Sequence, residues 1–244
     1  HEGKLLEEVV PGETVETSGG RKAYRIERRI AELQDETLRL AAAFAEALDS
    51  EDSGLSIRLK DLTREKITPH EIIFMDLETT GLSSSPLFLV GTMEWSEGEF
   101  IVRQYLARDY SEEKGTITQF NRRMRQKKLL VTFNGKSFDI PFLRARGVVN
   151  SVDLHLEPPH FDLLHVCRRA WKEALPNCKL QTLEARICGR PRFGDIPGAE
   201  IPAAYHSFVR TGNPRRMIKI LKHNMLDLVT MADLMVRLPG ASEQ

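Results

Sequence analysis

The chain has 244 residues, of which 41% are hydrophobic and 29% charged, and this composition predicts a soluble globular protein of one domain, with or without an extension. Its 35 basic and 35 acidic residues balance to a formal charge of zero, which excludes a strongly basic coat but not a local basic cleft. No apolar run reaches the roughly 18 residues of a membrane span, and the first residues lack the pattern of a secretory signal. We therefore expect no membrane partner.

The cysteine pattern points to a reducing environment. Cys167, Cys178 and Cys188 are odd in number and contain no CxxC pair. This argues against a disulfide framework or a thiolate zinc site. We expect the three thiols to fill the core as small apolar groups, and we expect the protein to be cytoplasmic.

Residues 1–69 are predicted to form an N-terminal extension ahead of a main domain at residues 70–240. A hairpin around two adjacent glycines is suggested by three apolar residues: Val15, Tyr24 and Ile26. A helix is predicted next, because apolar residues recur near a period of 3.6 from Ile26 to Leu48.

The main domain begins with strands and continues with helices. Short apolar runs predict buried strands at residues 72–75, 87–93, 100–106 and 129–133. Helices are predicted at about residues 112–128, 138–146, 162–174, 180–187, 202–211 and 214–237. This order predicts an α/β fold with a mixed sheet covered by helices.

The first chemical signal is Asp76-x-Glu78, which directly follows an apolar strand and precedes a Thr-Thr-Gly turn. Side chains two apart on a strand point to one face. Two adjacent carboxylates repel each other unless a cation lies between them. A solvated strand end is the alternative explanation, but the position at the end of a buried strand favours a metal site.

The second signal is Asp139, which follows the strand at 129–133 and an Asn134-Gly135 turn. Pro141 belongs in the first turn of a helix, so Asp139 lies at the helix start. On that evidence alone, either Asp139 or Ser137 could simply be an N-cap. A nucleotide-binding P-loop is rejected, because the required glycine five positions before Gly135 is Leu130.

The third signal lies in the last helix. An apolar stripe runs along it: Leu221, Met225, Leu228, Ala232 and Met235. His223 and Asp227 are one turn apart on an adjacent apolar stripe, where a carboxylate needs a partner. A structural His–Asp hydrogen bond is the alternative to a functional pair.

Taken together, the three signals suggest a metal-dependent reaction centre. The four carboxylates are Asp76, Glu78, Asp139 and Asp227. Oxygen ligands alone suit Mg²⁺ or Mn²⁺. Two such ions roughly 4 Å apart activate a water and stabilise the leaving oxygen in phosphodiester cleavage. His223 is then placed to accept the proton of the attacking water.

These motifs resemble those of a known family. Asp76-x-Glu78, Asn134-Gly135-x-x-Phe138-Asp139 and His223-x-x-x-Asp227 are similar to the three motifs of the DEDD group of 3′→5′ exonucleases. The likeness is closest to one bacterial branch, the YprB-like proteins, and runs over about residues 71–238. Further matching stretches are Thr132 to Ser137, Asp162-Leu163-Leu164-His165, Arg168-Arg169-x-Trp171 and Asp195-Ile196-Pro197-Gly198.

The resemblance implies a ribonuclease H-like fold with a five-stranded mixed sheet flanked by helices. It implies two bound Mg²⁺ or Mn²⁺ ions, with the four carboxylates as ligands and His223 as general base. One spacing departs from the family, since its His-type enzymes usually place the His five residues before the last Asp. Here the gap is four, as in the Tyr-type enzymes.

The resemblance also implies the substrate. The YprB-like branch includes a DNA-repair nuclease that works beside a helicase, so DNA is the expected substrate and a helicase an expected partner. The alternatives are an RNA-processing 3′→5′ exonuclease and an inactive nucleic-acid-binding accessory module. The expected nucleic-acid contacts are Thr79, Lys136, Phe138, Arg215, Arg216, Lys219 and Lys222. Phe88 and Tyr205 are further candidates for base stacking.

Overall fold

The computed structural model describes residues 4–30, 35–81 and 84–240. Its centre is a seven-stranded mixed sheet of order β1-β2-β5-β4-β3-β6-β7. The strands are β1 Glu13–Glu16, β2 Lys22–Arg29, β3 Ile72–Thr79, β4 Leu87–Ser96, β5 Glu99–Leu106, β6 Leu129–Thr132 and β7 His160–Asp162. Neighbours from β1 through to β3 pair antiparallel, while β3, β6 and β7 pair parallel.

The prediction of five strands was wrong, because residues before position 70 add two more to the same sheet. β1 and β2 form a hairpin, and β2 then pairs antiparallel with β5, Tyr24 opposite Leu106. The predicted helix from Ile26 was also wrong at its start. Ile26 lies in β2, whose alternating burial fits a half-covered strand. The partner strand is some eighty residues away in sequence, so no local pattern announces the pairing.

Nine α-helices occur among the described residues. They are α1 Leu6–Val9, α2 Asp35–Asp49, α3 Gly54–Thr63, α4 Glu113–Met124, α5 Asp139–Asn150, α6 Leu163–Trp171, α7 Leu180–Arg186, α8 Ile201–Thr211 and α9 Arg215–Val236. α3 was not predicted. Its N-cap is Ser53, whose hydroxyl accepts from the backbone of Ser56, in a polar run that was interpreted as a helix end.

The helices cover both faces of the sheet. Ile73 and Met75 of β3 pack with α4 and α5 on one face. Ile72 and Phe74 pack on the other face, together with α2, α3, α6, α7 and α9. Because side chains alternate along a strand, Asp76 and Glu78 continue the α9-facing row of Ile72 and Phe74. In the described part of the chain, no helix is both long and apolar enough to cross a membrane.

Candidate active site

Two carboxylates, Asp76 and Glu78, lie near the end of β3 on the face of the sheet that α9 covers. Asp76 is half-buried and Glu78 is buried, with 8% of its surface exposed. The backbone register of β3 against β4 shifts by one residue directly after Glu78, where Thr79 pairs with Leu87. Asn224 of α9 donates from Nδ2 to Asp76 Oδ2 at 2.8 Å and to the Asp76 carbonyl at 3.2 Å. The last strand residues and α9 are thus joined through one carboxylate.

Asp139 is brought to the same place by the loop between β6 and α5. Asn134 has a left-handed φ of 63°, which turns the chain after β6. The N-cap of α5 is Phe138 and no side chain caps it, so the alternative explanation of Asp139 or Ser137 as an N-cap does not hold. The backbone N–H groups of Asp139 and of Leu77, which lies between the two carboxylates of β3, act on the Asp139 carboxylate and oppose the rise of its pKa.

A buried aspartate holds this loop in position. Asp162, at the end of β7, accepts from the backbone N–H groups of Asn134 at 2.7 Å and Lys136 at 2.9 Å. It also caps α6 by accepting from Leu164, as expected for an N-cap. These bonds fix the turn that leads into Asp139.

α9 supplies His223 and Asp227, one turn apart. His223 is buried, and its Nδ1 lies 2.8 Å from Asp195 Oδ2. Its Nε2 lies 3.5 Å from Asp227 Oδ2. An imidazole between two carboxylates donates from Nδ1 to the closer one, which leaves Nε2 facing Asp227.

The acidic groups interact strongly with one another. Burial raises the pKa of Asp76 well above its usual range, and the charges of Asp227, Glu78 and Asp139 raise it further. Burial, Asp227 and Asp139 likewise raise the pKa of Glu78. Burial raises the pKa of Asp139 to about 7. Burial also raises the pKa of Asp227, against the opposing charges of Arg192 and His223. The four predicted carboxylates therefore lie in one electrostatic cluster.

Arg192 is a cation that sequence reasoning missed. Its side chain is 7% exposed and donates to Asp227 Oδ1 at 2.5 Å and to Asp195 Oδ2 at 3.2 Å. It also pairs with Glu184, which in turn accepts from Thr230 of α9. Arg192 thus ties the loop after α7 to α9 beside His223.

Asp195 and Asn224 were missed as well. Asp195 stands in the Asp-Ile-Pro-Gly stretch that the resemblance had selected without giving it a role. The charges of His223 and Arg192 outweigh burial and lower its pKa. Asn224 directly follows His223 in the chain, and its position in a helix carries no local signal of a contact with β3.

The donor set fits a hard divalent cation, since four clustered carboxylates offer only oxygen ligands and their mutual repulsion is relieved by such an ion. Within residues 4–30, 35–81 and 84–240, however, no three His, Cys, Asp or Glu side chains form a finished ligand set. Two of the carboxylates have protein partners, Asp227 with Arg192 and Asp76 with Asn224. An ion at this position would compete with Arg192 for Asp227.

A cleft of about 550 Å³ lies beside the acidic cluster. Asp76 and Asp227 line it with Phe138, which is 67% exposed. Arg168, which belongs to the matching stretch Arg168-Arg169-x-Trp171, and Lys179, which the sequence did not single out, supply positive charge at its wall. This cleft exposes an aromatic ring and two cations beside the acidic cluster.

The other predicted nucleic-acid contacts lie elsewhere. Arg215, Arg216, Lys219 and Lys222 are exposed on the first two turns of α9, and none of them is among the described residues that line the cleft. Arg216 pairs with Glu200. The Thr79 hydroxyl donates to the Gly81 carbonyl at 3.0 Å within the turn after β3. Lys136 is exposed and lines a separate pocket.

Two aromatic candidates for base stacking were wrong. Phe88 and Tyr205 are fully buried and stack on each other, with ring centroids 4.0 Å apart. Their apolar surface is used in the core between β4 and α8, so Phe138 is the candidate that keeps an exposed ring.

The strand order β5-β4-β3-β6-β7, with carboxylates at the end of its central strand and on the crossing helix, defines a ribonuclease H-like α/β protein. The profile of the RNase H superfamily matches residues 73–239, and the chain belongs to that superfamily. The finer assignment to its DEDD exonucleases remains a prediction.

Two known proteins are similar to this chain. The uncharacterized protein YprB of Bacillus subtilis (strain 168) is 31% identical over 191 residues, which are 76% of this chain and 45% of YprB. A family B DNA polymerase from the hyperthermophilic archaeon Pyrobaculum calidifontis superposes with a TM-score of 0.56 at 16% identity, over 70% of this chain and 25% of the polymerase. The chain thus spans less than half the length of either protein, and the polymerase supports the fold alone.

Proposed function

We propose that this chain is a metal-dependent 3′→5′ exonuclease that hydrolyses phosphodiester bonds, with DNA as its substrate. The observation that carries the proposal is the cluster of four interacting carboxylates, Asp76, Glu78, Asp139 and Asp227. Two of them, Asp76 and Asp227, line the cleft, and His223 lies beside Asp227. Four clustered carboxylates with raised pKa values are costly without a cation, so a fold that contains them has a use for one.

The carboxylates would hold Mg²⁺ or Mn²⁺. Two such ions, when bound, would supply an activated water and would stabilise the leaving oxygen in phosphodiester cleavage. His223 takes the proton of the attacking water at Nε2, because Nδ1 donates to Asp195. Arg192 holds Asp195 in place and neutralises part of the acidic cluster until the ions bind.

The cleft suits the end of a nucleic-acid strand. The exposed ring of Phe138 offers a face on which a terminal base stacks. Arg168 and Lys179 face the phosphates of that strand. The preference for DNA, a role in repair and a helicase partner rest on the likeness to the YprB-like branch.

The test is an assay on labelled single-stranded DNA and RNA, each blocked at the 3′ or the 5′ end. The proposal expects mononucleotides from free 3′ ends with Mg²⁺ or Mn²⁺ and none with chelator. A preference for the RNA strands would make the substrate RNA. Efficient cutting of closed circular DNA would replace the exonuclease with an endonuclease on the same fold.

A further inference from the structure

A second pocket, of about 510 Å³, adjoins the catalytic cleft across α6. Leu164 and Arg168 of this helix line the cleft, whereas His165 and Arg169 line the pocket. Residues that precede the superfamily match complete its wall, because α3 contributes Arg58 and Asp61. Lys136 and Asp162 close it on the side of the catalytic loop. We call this cavity the basic pocket.

The charge of the basic pocket is positive. Arg58, Lys136 and Arg169 each bring a full positive charge, against Asp61 and Asp162. The Asp162 carboxylate is already neutralised in part by the backbone N–H groups of Asn134, Lys136 and Leu164. His165 Nε2 lies 3.9 Å from Asp162 Oδ2.

Two of these cations, Arg58 and Arg169, repel each other. Burial lowers the pKa of Arg58, and the nearby charge of Arg169 lowers it further. Arg58 is held in place because its Nη1 donates to the Gly54 carbonyl at 2.7 Å and to the Pro239 carbonyl at 2.8 Å. An anion between the two guanidinium groups relieves the repulsion and satisfies their remaining donors.

The distance between the pocket and the catalytic cleft indicates which anion the pocket binds. Asn134 lines the cleft and Lys136 lines the pocket, so the two cavities are two residues apart along the chain, at most about 7 Å of backbone. A nucleic-acid strand advances roughly 3.4 Å for each nucleotide. A strand whose end lies beside Asp76 and Asp227 therefore reaches the pocket within a few nucleotides.

We propose that the basic pocket binds a backbone phosphate of the nucleic-acid substrate, a few nucleotides away from the end that lies in the catalytic cleft. This inference rests on the proposed function and extends it. Substrate binding would then use Arg58 of α3, a helix outside the region that matches the superfamily. The shortest substrates would not reach the pocket and would bind through the cleft alone.

Binding without cleavage tests the proposal. Fluorescence anisotropy in chelator gives the dissociation constant of a single-stranded 20-mer at several salt concentrations, and competition gives that of a dinucleotide. Arg169→Ala and Lys136→Ala are the variants to use, because Lys136 is exposed and neither side chain anchors another element, unlike Arg58. Arg169→Lys keeps the charge. Arg210→Ala removes an exposed charge at the end of α8, away from both cavities, and serves as the control.

The 20-mer should bind about 3–10-fold more weakly to either alanine variant, and its salt slope should fall by about 0.7 for each charge removed. Arg169→Lys should keep the wild-type slope, and the dinucleotide should bind equally to all variants. An unchanged salt slope in both alanine variants would overturn the proposal. An equal loss of affinity for the dinucleotide and the 20-mer would overturn it as well.

The two proposals fail separately. If the wild-type protein releases mononucleotides with Mn²⁺ but the slopes do not change, the pocket proposal falls and the exonuclease stands. If the slopes fall as expected but no strand is cleaved with either metal, the pocket stands and the exonuclease falls.

Discussion

His223 Nδ1 lies 2.8 Å from Asp195 Oδ2, across 28 residues of chain. The Asp195 carboxylate also accepts from Arg192 and from the backbone N–H of Ile196, so it is held in position independently of the histidine. A fixed acceptor at Nδ1 selects the tautomer that leaves Nε2 free to take a proton. Asp195 is thus a positioning residue for His223.

Asp195→Asn tests that role. The amide keeps the size of the side chain but loses the charge and presents an NH₂ group to either neighbour. Turnover should fall by roughly 10–100-fold, the usual cost of losing the partner that orients a functional side chain. Mn²⁺ affinity should change little, because Asp195 is not one of the four proposed ligands. A variant with wild-type turnover would show that His223 needs no partner at Nδ1.

His223→Ala separates a catalytic from a structural histidine. If His223 is the general base, single-turnover rates should fall by about 10²–10⁴-fold while Mn²⁺ still binds. Higher pH should partly restore the rate, because hydroxide then replaces the missing proton acceptor. If the histidine serves only as a hydrogen-bonded link between Asp195 and Asp227, the melting temperature should fall and the rate per folded molecule should stay near normal.

Asp139→Asn tests the acidic cluster through stability as well as activity. Because the pKa of Asp139 rises to about 7 in the folded protein, protonated Asp139 favours the folded state. Its contribution is fully present below the unfolded pKa of about 3.9 and is lost as pH rises through about 7. In metal-free protein, Asp139→Asn should therefore raise the melting temperature more at pH 8 than at pH 5.

Bound Mn²⁺ should reverse the difference in melting temperature between Asp139→Asn and the wild-type protein. Millimolar Mn²⁺ should raise the melting temperature of the wild-type protein, since an ion that binds only the folded state stabilises it. Asp139→Asn should gain less from the ion and should lose turnover. Melting curves with and without Mn²⁺ at both pH values measure the whole effect, and Arg210→Ala is the matched surface control. Equal shifts in all three proteins would argue against a metal site that includes Asp139.

Sequence alone predicted the elements whose signals are local. The apolar run at residues 72–75 predicted β3, and the carboxylates that follow it marked the strand end without any knowledge of its neighbours. The apolar stripe of α9 likewise predicted a long helix close to its observed bounds. These features depend on the period of one segment, which a single sequence contains.

Features that depend on distant partners were not predictable in this way. Ile26 fits a helical period, but it lies in β2, which pairs with β5 in the sheet. β7 has three residues and exists because β6 pairs with it. Arg192 and Asn224 have no local pattern at all, since their importance comes from contacts with Asp227 and Asp76 across the fold. Tertiary contacts determine the roles of such residues, and local propensity contains no information about those contacts.

A close contact between β4 and α9 gives the last prediction. Asp76 lies opposite Gly91 in the sheet, and a Cβ on Gly91 would lie 2.0 Å from Asn224 Oδ1. That oxygen accepts from Gln104, while Asn224 Nδ2 donates to Asp76. Glycine at position 91 therefore makes room for the amide that holds a proposed metal ligand.

Gly91→Ala should displace Asn224 and lower the free energy of unfolding by about 1–3 kcal/mol, the usual cost of overpacking a core. Turnover should fall with it, because Asp76 loses its fixed partner. Asn224→Ala should also destabilise the protein, since Gln104 Nε2 loses one of its two acceptors and the Asp76 carboxylate loses its donor. The double variant removes the clash and should be more stable than the two single losses add up to, by roughly 0.5–3 kcal/mol. Chemical denaturation of the four proteins measures that coupling, and strictly additive losses would mean that Gly91 does not act through Asn224.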